Sequence, residues 1–344
     1  MKRSPIVWPF WLFLSFVPFT TVPGVENRTV LGVDGSRFTI NGQHAFLLGV
    51  SYYGAIGAPE EIWKRDLDEM KERGFNWVRI WANWGAFDQD AFAVDGEGNR
   101  YDPGMKKLQD IVAYCDERGL IVDVTLSRGN GITGPKRLQS LEAHRRAVRA
   151  LIEALKDFKN WYIDLSNERN IQDSRFTSIE DLVVLRKEVR SLAPERLVTA
   201  SHAGDIPDGV LRDYVNKVGL DFISPHRPRN ERSPQETEAK TREYLGKMNS
   251  LGRVIPVHYQ EPFRRGFGSW QPSADAFLVD LKGAYQGGAA GWCFHNGDAR
   301  NAPDGRPRRS FDLRDGPLFS QLDAEEQKVL DLIKQFAKEG FLGK

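Results

Sequence analysis

The chain has 344 residues, a length that suits one large domain or two small ones. Its 48 basic and 47 acidic side chains nearly cancel and leave a formal net charge of +1. That balance argues against nucleic acid, an anionic membrane or an acidic polymer as a partner, and it predicts no oligomeric state. The 9 Trp and 20 Phe suit a large core or a site that stacks on flat apolar faces.

The N-terminus carries a targeting signal. Residues 1–3 hold two positive charges, and residues 6–19 are almost wholly apolar and contain two prolines. That run is short for a membrane-spanning helix, and it is typical of a signal-peptide core. We predict a signal peptide over residues 1–24, with an uncleaved anchor as the alternative. The processed chain is then expected to be secreted or periplasmic, without stable membrane insertion.

Strand-like and helix-like segments alternate along the rest of the chain. Residues 37–48 alternate around Asn41-Gly42, which predicts a short β-hairpin. Eight apolar runs follow, each with a helical segment after it. The predicted strands span residues 45–50, 77–81, 120–126, 161–167, 197–200, 222–225, 254–259 and 289–294. The predicted helices span residues 60–73, 105–118, 138–158, 179–192, 210–215, 236–251, 274–286 and 324–338. This order predicts an α/β fold, a (β/α)8 TIM barrel that forms a single domain over residues 25–344.

Two of these strands end abruptly in a carboxylate. Residues 161–168 and 254–261 are mostly apolar runs that terminate in Glu168 and Glu261. The carboxyl ends of barrel strands meet at one face, which is where barrel active sites lie. Two carboxylates on separate strands supply the acid and the nucleophile that cleavage of a glycosidic bond needs. The sequence therefore predicts a glycosidase.

Other polar and aromatic residues stand at the same strand ends. Any one of them could be an ordinary core or loop residue. Together they place an arginine, imidazoles and aromatic faces around the two carboxylates, which is a costly way to fill a core. The residues predicted to bind substrate are Tyr52, Arg79, Trp81, Asn167, His202, His226, Tyr259, Trp292 and His295.

The chain resembles the retaining glycoside hydrolases of clan A, most of all the cellulase and mannanase group called glycoside hydrolase family five. The segments that carry the resemblance are residues 46–52, 74–80 and, most specifically, the Asp-Leu-Ser-Asn-Glu run that ends at Glu168. The resemblance implies that Glu168 is the acid/base, Glu261 the nucleophile and Trp292 the floor of the cleavage subsite. The chain departs from that family at Arg169, where proline is usual, and at Pro228, where tyrosine is usual.

These roles set requirements for the two glutamates. Glu261 must stay ionised, so it needs a nearby cation, for which Arg79 is the candidate. Glu168 must be protonated, so burial and the charge of Glu261 are expected to raise its pKa. We expect the two carboxyl groups to lie about 5–5.5 Å apart, as in retaining enzymes, rather than at the wider inverting separation.

The remaining roles follow from the resemblance and from the strand positions. Asn167 is expected to hydrogen-bond the sugar 2-hydroxyl. His226 and Tyr259 are expected to orient the carboxylates, and Trp292 to stack on the sugar ring.

Three alternatives were open at this level. Residues 129–134 match G-x-G-x-x-G, but the proline that follows starts the helix too late for dinucleotide binding, so we expect no NAD or other cofactor. A catalytic metal is not expected, because none of the six histidines falls on the first four strands. A barrel that binds glycans without cleaving them is the remaining competitor, although both carboxylates are present.

A long connection between residues 295 and 322 carries a run of arginines. A basic rim would favour an acidic or substituted sugar. The simpler interpretation is a solvated loop in which nearby aspartates balance the charge. Among its arginines are Arg300, Arg306, Arg308 and Arg309.

Overall fold

The computed structural model describes residues 28–83, 91–128, 138, 140–297 and 311–337. The predicted signal peptide, the glycine-rich segment at 129–134 and residues 300, 306, 308 and 309 of the long connection lie outside these ranges. In the described part of the chain, no helix is both long and apolar enough to cross a membrane.

The described strands fall into a small antiparallel sheet and a barrel. The small sheet consists of β1 (Leu31–Asp34), β2 (Arg37–Ile40) and β3 (Gln43–Ala45). The barrel strands are β4 (Leu47–Ser51), β5 (Trp77–Trp81), β6 (Ile121–Thr125), β7 (Trp161–Asp164), β8 (Val198–Thr199), β9 (Ser201–His202), β10 (Ser224–Pro225), β11 (His258–Tyr259) and β12 (Gly291–Phe294).

The barrel strands are all parallel. Seven of them hydrogen-bond in the order β11-β12-β4-β5-β6-β7-β8, and β9 pairs with β10. Only Ala200 separates β8 from β9, so these two segments act as one strand position. A parallel bridge between Ile223 and Val257 connects the β10 side to β11 and closes the circle. The (β/α)8 barrel predicted from the sequence is confirmed.

Helices surround the barrel and bury their apolar faces against it. They are α1 (Glu60–Glu72), α2 (Asp102–Glu117), α3 (Leu141–Leu155), α4 (Ile179–Leu192), α5 (Asp208–Arg212), α6 (Ser233–Ser250), α7 (Ala274–Gly287), α8 (Leu318–Gln321) and α9 (Ala324–Phe336). Serine side chains cap α3, α4 and α7 by accepting a backbone amide of the first turn. Cys115 and Cys293 are separate buried thiols.

The small sheet covers the end of the barrel opposite the predicted site. Its Phe38 ring lies 5.0 Å from Phe222 and 5.8 Å from His258, both edge-on. The hairpin prediction located β2 and β3 but missed β1, which pairs antiparallel with β2 from Leu31 opposite Ile40. The N-terminal element is therefore a three-stranded sheet rather than a hairpin.

Strand alternation decides which side chains enter the barrel. On β5, Trp77 and Arg79 point inward, while Val78 and Ile80 face the helices. Below the site, the Trp77 indole donates to the Tyr162 hydroxyl at 2.9 Å, and Tyr162 donates to Asp123 at 3.0 Å. Gln260 also donates to Asp123, at 2.7 Å. This buried hydrogen-bond network lies below the site and holds Asp123 in place.

Candidate active site

Arg79 is the centre of the charged network and is fully buried. Its Nη1 lies 2.5 Å from Glu261 Oε1, its Nη2 2.8 Å from Asp164 Oδ2, and its Nε 3.1 Å from Asp123 Oδ2. Nη2 also donates to Asn167 Oδ1 at 3.0 Å. A single guanidinium thus holds three carboxylates from three different strand positions, which fixes its own orientation and theirs.

Burial shapes the charge state of this network. Desolvation raises the pKa of Asp123 to about 7, although the positive charge of Arg79 acts against it. Asp164 Oδ1 accepts hydrogen bonds from the backbone amides of Ser166 and Ser201, at 3.1 Å each. Asp164 therefore ties the turn after β7 to the neighbouring strand and positions the residues that follow it.

Glu168 lies on that turn and has an unusual backbone conformation. Its φ is +44°, a left-handed conformation that residues other than glycine seldom adopt. Such strain persists where surrounding contacts fix it, and it occurs frequently at functional sites. The Glu168 amide donates to Ser201 Oγ at 3.0 Å. Its carboxylate lies 3.2 Å from Arg175, 3.4 Å from His226 Nδ1 and 3.5 Å from Arg229.

Glu261 follows β11 and faces Glu168. Besides Arg79, its carboxylate contacts Arg229 at 2.9 Å and His226 Nδ1 at 3.5 Å. His226 and Arg229 therefore contact both glutamates. One oxygen of each glutamate and a ring nitrogen of His226 all lie within 4.8 Å of one another. This close approach of the two carboxylates agrees with the spacing expected from the sequence for a retaining enzyme.

The same three residues have a geometry that a metal ion could use. However, the guanidiniums of Arg79, Arg175 and Arg229 already pair with the two carboxylates. A cation would have to compete with these positive charges. The donor set therefore suits an organic substrate better than a metal.

The pKa values of both glutamates lie below their ordinary value. Burial raises the pKa of Glu261, but the positive surroundings set by His226 and Arg79 bring it well below its usual value. Burial likewise opposes the shift at Glu168, where the hydrogen bond from His226 and the charge of Arg229 lower the pKa to about 2. The expectation that Glu168 has a raised pKa is therefore wrong, because the sequence did not reveal Arg229 beside it.

A cavity of about 450 Å³ opens above the two glutamates. Both carboxylates face it, together with aromatic rings and four arginines. An adjoining cavity shares Arg229, Arg264 and Phe267 with it. Among the residues that line the first cavity are Tyr53, Trp81, Glu168, Arg175, His226, Arg227, Arg229, Glu261, Arg264, Phe267 and His295.

Trp81 and His295 lie where the sequence predicted. The Trp81 and Tyr53 rings pack at 5.4 Å with a 45° tilt, and Tyr53 lies 6.0 Å from the His295 ring. Burial, followed by the charge of Glu261, raises the pKa of Tyr53 well above its usual value. These rings form an aromatic wall next to Glu261. Tyr53 stands at the same strand end as the predicted Tyr52, and it is the one of the two that lines the cavity.

Three predicted site residues face the helices instead of the cavity. The Tyr52 hydroxyl donates to Asp66 at 2.7 Å, the Tyr259 hydroxyl lies 2.6 Å from Thr241 Oγ1, and the Trp292 indole donates to Asp280 at 2.7 Å. Since side chains alternate along a strand, the inward positions belong to their neighbours. The structure therefore does not bring Tyr52, Tyr259 or Trp292 to the cavity.

His202 and Asn167 lie beside the cavity without lining it. His202 Nδ1 is 3.0 Å from the Tyr214 hydroxyl, and burial lowers the pKa of this histidine to about 3. The Asn167 side-chain oxygen accepts a hydrogen bond from Arg79, and its Nδ2 is buried with no hydrogen-bond partner in the described part of the chain. An unpartnered buried amide is costly unless a ligand satisfies it, which leaves Asn167 suited to a substrate hydroxyl.

Sequence reasoning missed three arginines that line the cavity. Arg175, Arg229 and Arg264 lie on loops after β7, β10 and β11. The basic residues that follow His226 were a signal for Arg229, but no strand periodicity indicates where a loop side chain points. Arg169, which stands where the resembling family has proline, turns away and donates to Tyr214 and to the Thr177 carbonyl.

The fold belongs to the (β/α)8 barrels, and solved structures share it. A candidate glycoside hydrolase from Bacteroides vulgatus ATCC 8482 aligns at a TM-score of 0.66 and 17% identity, over 92% of this chain and 62% of that one. An exo-β-1,4-mannosidase from Opitutaceae bacterium strain TAV5 aligns at a TM-score of 0.61 and 18% identity, over 90% of this chain and 63% of that one. This chain thus spans less than two thirds of the length of either protein.

A third structure matches along nearly its whole length. The glycoside hydrolase family 5 mannosidase from Rhizomucor miehei aligns at a TM-score of 0.64 and 13% identity, over 91% of this chain and 98% of that one. No protein-family profile matches the chain, and no curated protein matches it in sequence. The sequence suggested a resemblance to glycoside hydrolase family 5, and the shared fold confirms that resemblance.

Proposed function

We propose that the protein is a retaining glycoside hydrolase that cleaves β-linked bonds in oligo- or polysaccharides by double displacement. The observation that carries the proposal is the approach of Glu168 and Glu261 to within 4.8 Å at the floor of an open cavity. Two carboxylates at about this spacing suit a covalent mechanism, in which one attacks and the other transfers protons.

In the first step Glu261 attacks the anomeric carbon. Its carboxylate stays ionised beside Arg79 and Arg229, at 2.5 and 2.9 Å. Glu168 donates a proton to the leaving oxygen as the bond to the sugar breaks. The product is a glycosyl ester on Glu261. Glu168, now a carboxylate, takes a proton from water as the water attacks the anomeric carbon and displaces the Glu261 carboxylate, so the sugar leaves with its original anomeric configuration.

Glu168 can deliver a proton only if its low pKa rises when substrate binds. The pKa is low because His226 and Arg229 contact the carboxylate. A sugar that lies between the glutamates separates Glu168 from Arg229 and excludes water, and both changes favour the protonated acid. Substrate binding thus prepares the acid that the first step uses.

Neighbouring groups suit a sugar ring in the same place. The unpartnered Asn167 Nδ2 is suited to donate to the 2-hydroxyl, a contact that strengthens in the transition state. The wall formed by Tyr53 and Trp81 offers a flat apolar face for the ring. In this proposal Trp81 takes the stacking role that the sequence had given to Trp292.

Hydrolysis of a panel of chromogenic β-glycosides and β-glycans tests the proposal. Glu261→Ala and Glu168→Ala are each expected to lose at least about 10³-fold in kcat, as removal of a covalent nucleophile or its proton donor does. Glu153→Ala is the matched control, since Glu153 is exposed on α3. Equal release by wild type and Glu261→Ala would rule out the nucleophile.

Two further measurements separate the alternatives. Proton NMR of the first product distinguishes a retained from an inverted anomeric centre. Binding of oligosaccharides without any turnover would favour the glycan-binding barrel instead. We also propose that residues 1–24 direct export, and N-terminal sequencing of the mature protein checks the cleavage site.

A further inference from the structure

Arg229 lies between the two glutamates and contacts both through one atom. Its Nη2 is 2.9 Å from Glu261 Oε2 and 3.5 Å from Glu168 Oε1, and only 16% of its side chain is exposed. Its guanidinium packs over the Phe267 ring at 4.4 Å. Among the described residues, these two glutamates are the acidic groups with which Arg229 forms ion pairs. A small movement of one side chain therefore exchanges one partner for the other.

Two other arginines at the glutamates have partners that do not change. Arg79 also pairs with two buried aspartates, at 2.8 and 3.1 Å. Arg175 pairs with Asp173 at 2.8 Å as well as with Glu168 at 3.2 Å. These aspartates take no part in the proposed reaction, so both arginines keep a carboxylate at every stage. Arg229 differs, because both of its carboxylate partners react.

The proposed reaction moves one negative charge from one glutamate to the other. When the Glu261 carboxylate bonds to the anomeric carbon, the bond from that carbon to the leaving oxygen breaks, and the Glu168 proton moves to that oxygen. Glu261 is then a neutral ester, and Glu168 carries the charge. In the second step water gives its proton to Glu168, its oxygen bonds to the anomeric carbon, and Glu261 leaves as a carboxylate. One anion thus faces Arg229 at each stage, but it changes place.

We propose that Arg229 follows this charge as a positioning residue for both steps. It pairs with Glu261 while substrate is bound, with Glu168 in the glycosyl-enzyme, and with Glu261 again as the sugar leaves. The inference rests on the proposed glycosidase function and describes how the same site is controlled within one turnover. A nearly buried guanidinium is costly without an anion, so Arg229 is drawn to whichever glutamate is ionised.

This exchange gives Glu168 a different environment in each step. While the sugar separates Arg229 from Glu168, no charge from Arg229 opposes the protonated acid that donates to the leaving oxygen. Once the leaving group has gone, Arg229 returns to Glu168 and stabilises its carboxylate, the form that accepts a proton from water. Arg229 therefore pairs with Glu168 when Glu168 serves as the base and not when it serves as the acid.

Other charged and titratable groups also surround the glutamates. Arg175 offers the sharpest comparison, because it contacts Glu168 and keeps Asp173 throughout. Its effect on Glu168 should be the same in both steps, whereas the effect of Arg229 on Glu168 should appear in the second step alone. The groups that act on one or both glutamates besides Arg229 are Tyr53, Arg79, Arg175, His202, His226, Cys293 and His295.

The two steps can be followed separately on an aryl β-glycoside that the panel shows to be hydrolysed. Release of the aryl group after rapid mixing reports the first step. The 2-deoxy-2-fluoro analogue of the same glycoside traps the glycosyl-enzyme, and recovery of activity after removal of the reagent reports the second step. In the first step the acidic limb of the pH profile reflects ionisation of Glu261 and the alkaline limb that of Glu168. In the second step the acidic limb reflects ionisation of Glu168.

Arg229→Gln is expected to move the acidic limb of each step to higher pH by about 1 pH unit or more. The reason is that Glu261 loses a cation in the first step and Glu168 loses it in the second. The alkaline limb of the first step should stay in place. Arg175→Gln should instead move the Glu168 limb in both steps.

Further variants protect this comparison. Arg229→Lys keeps the charge and should restore part of the shift, and Arg229→Met is the neutral replacement if the glutamine variant does not fold. Arg242→Gln, an exposed arginine on α6, is the control that should change no limb. Thermal unfolding verifies that each variant is folded.

The failures can be told apart. A glycosidase that forms a glycosyl-enzyme on Glu261, but keeps every limb in place in a folded neutral variant of Arg229, would overturn the role of Arg229 and leave the proposed function intact. A Glu168 limb that moves equally in both steps would show that Arg229 does not change partners, which also overturns the inference. Absence of aryl release across the panel, with no covalent adduct in mass spectrometry, would overturn the proposed function and this inference together.

Discussion

At the scale of single residues, neighbours along the chain have opposite environments. Tyr52 and Tyr53 follow β4 directly, yet Tyr52 bonds to Asp66 on α1 and Tyr53 lines the cavity beside Glu261. The residue types at a strand end do not tell which of the two faces the cavity, because neighbouring residues on a strand point to opposite sides. The pair therefore offers the same substitution in two environments.

Tyr53→Phe and Tyr52→Phe should separate activity from stability. Loss of the Tyr53 hydroxyl beside Glu261 is expected to lower kcat/KM by about 10-fold or more, with little change in unfolding free energy. Loss of the Tyr52 hydroxyl removes a buried hydrogen bond to Asp66 and is expected to cost about 1–3 kcal/mol of stability, with activity retained. Urea unfolding and kinetics on both variants measure this, and the reverse pattern would contradict the placement of both rings.

The sequence predicted that charged residues at the strand ends meet at one face, but it did not predict that Tyr52, Tyr259 and Trp292 point to the helices. Glu168 and Glu261 end apolar runs, and Arg79 lies two residues after the inward Trp77, so topology alone brings them to one face. Prediction from the sequence failed for Arg229 and for the pKa of Glu168. Loop side chains are placed by contacts across the fold, and a pKa depends on every charge nearby.

At the scale of elements, Trp292 connects β12 to α7, although the sequence had predicted that this residue binds substrate. The Trp292 indole donates to Asp280 on α7, and Thr237 on α6 donates to the other oxygen of that carboxylate. Trp292 thus connects the sheet to two helices. The aromatic residue on the cavity side is Trp81.

Trp292→Phe should therefore destabilise the fold without changing catalysis. It leaves an oxygen of buried Asp280 without its indole donor, at an expected cost of about 1–3 kcal/mol. We expect kcat/KM to stay within about 2-fold, while Trp81→Phe raises KM through loss of stacking area. Chemical denaturation and steady-state kinetics give both values. A large rise in KM for Trp292→Phe would instead support the subsite role.

The N-terminal sheet offers a second prediction at this scale. Phe38 is fully buried and packs on Phe222 and His258 at the closed end of the barrel. Phe38→Ala is expected to cost about 3–5 kcal/mol of unfolding free energy, because it opens a cavity there. The folded variant should keep its kcat, since the site lies at the other end. Val30→Ala, at a 38% exposed position, is the control and should be nearly neutral.

At the scale of the whole molecule, buried titratable groups act on stability in opposing directions. Burial raises the pKa of Asp66 and Asp280 to about 6 and that of Glu326 to about 7. Burial also lowers the pKa of His144 and His258 to about 3. The carboxyl groups favour the folded state at low pH and the histidines favour it at higher pH, so the two sets offset each other between about pH 4.5 and 6.5.

Glu326→Gln should disturb that balance in a predictable direction. Glu326 caps α9, where Oε2 accepts the Asp323 amide at 3.0 Å and Oε1 is buried with no hydrogen-bond partner in the described residues. Glutamine keeps the capping acceptor, since a capping box takes either residue. Because folding raises the pKa of Glu326, the protonated form stabilises the protein fully below about pH 4.5, and this stability is lost as the pH rises to about 7.

The variant should therefore match wild type near about pH 4.5 and exceed it by up to about 3 kcal/mol at about pH 8, since each unit of pKa shift corresponds to about 1.4 kcal/mol. Urea unfolding across this range measures the difference. Glu325→Gln is the matched control one residue away. Hydrogen bonding to Lys328 lowers the pKa of Glu325, so any effect there has the opposite sign. A Glu326→Gln advantage that does not depend on pH would show that the gain comes from packing rather than from the buried charge.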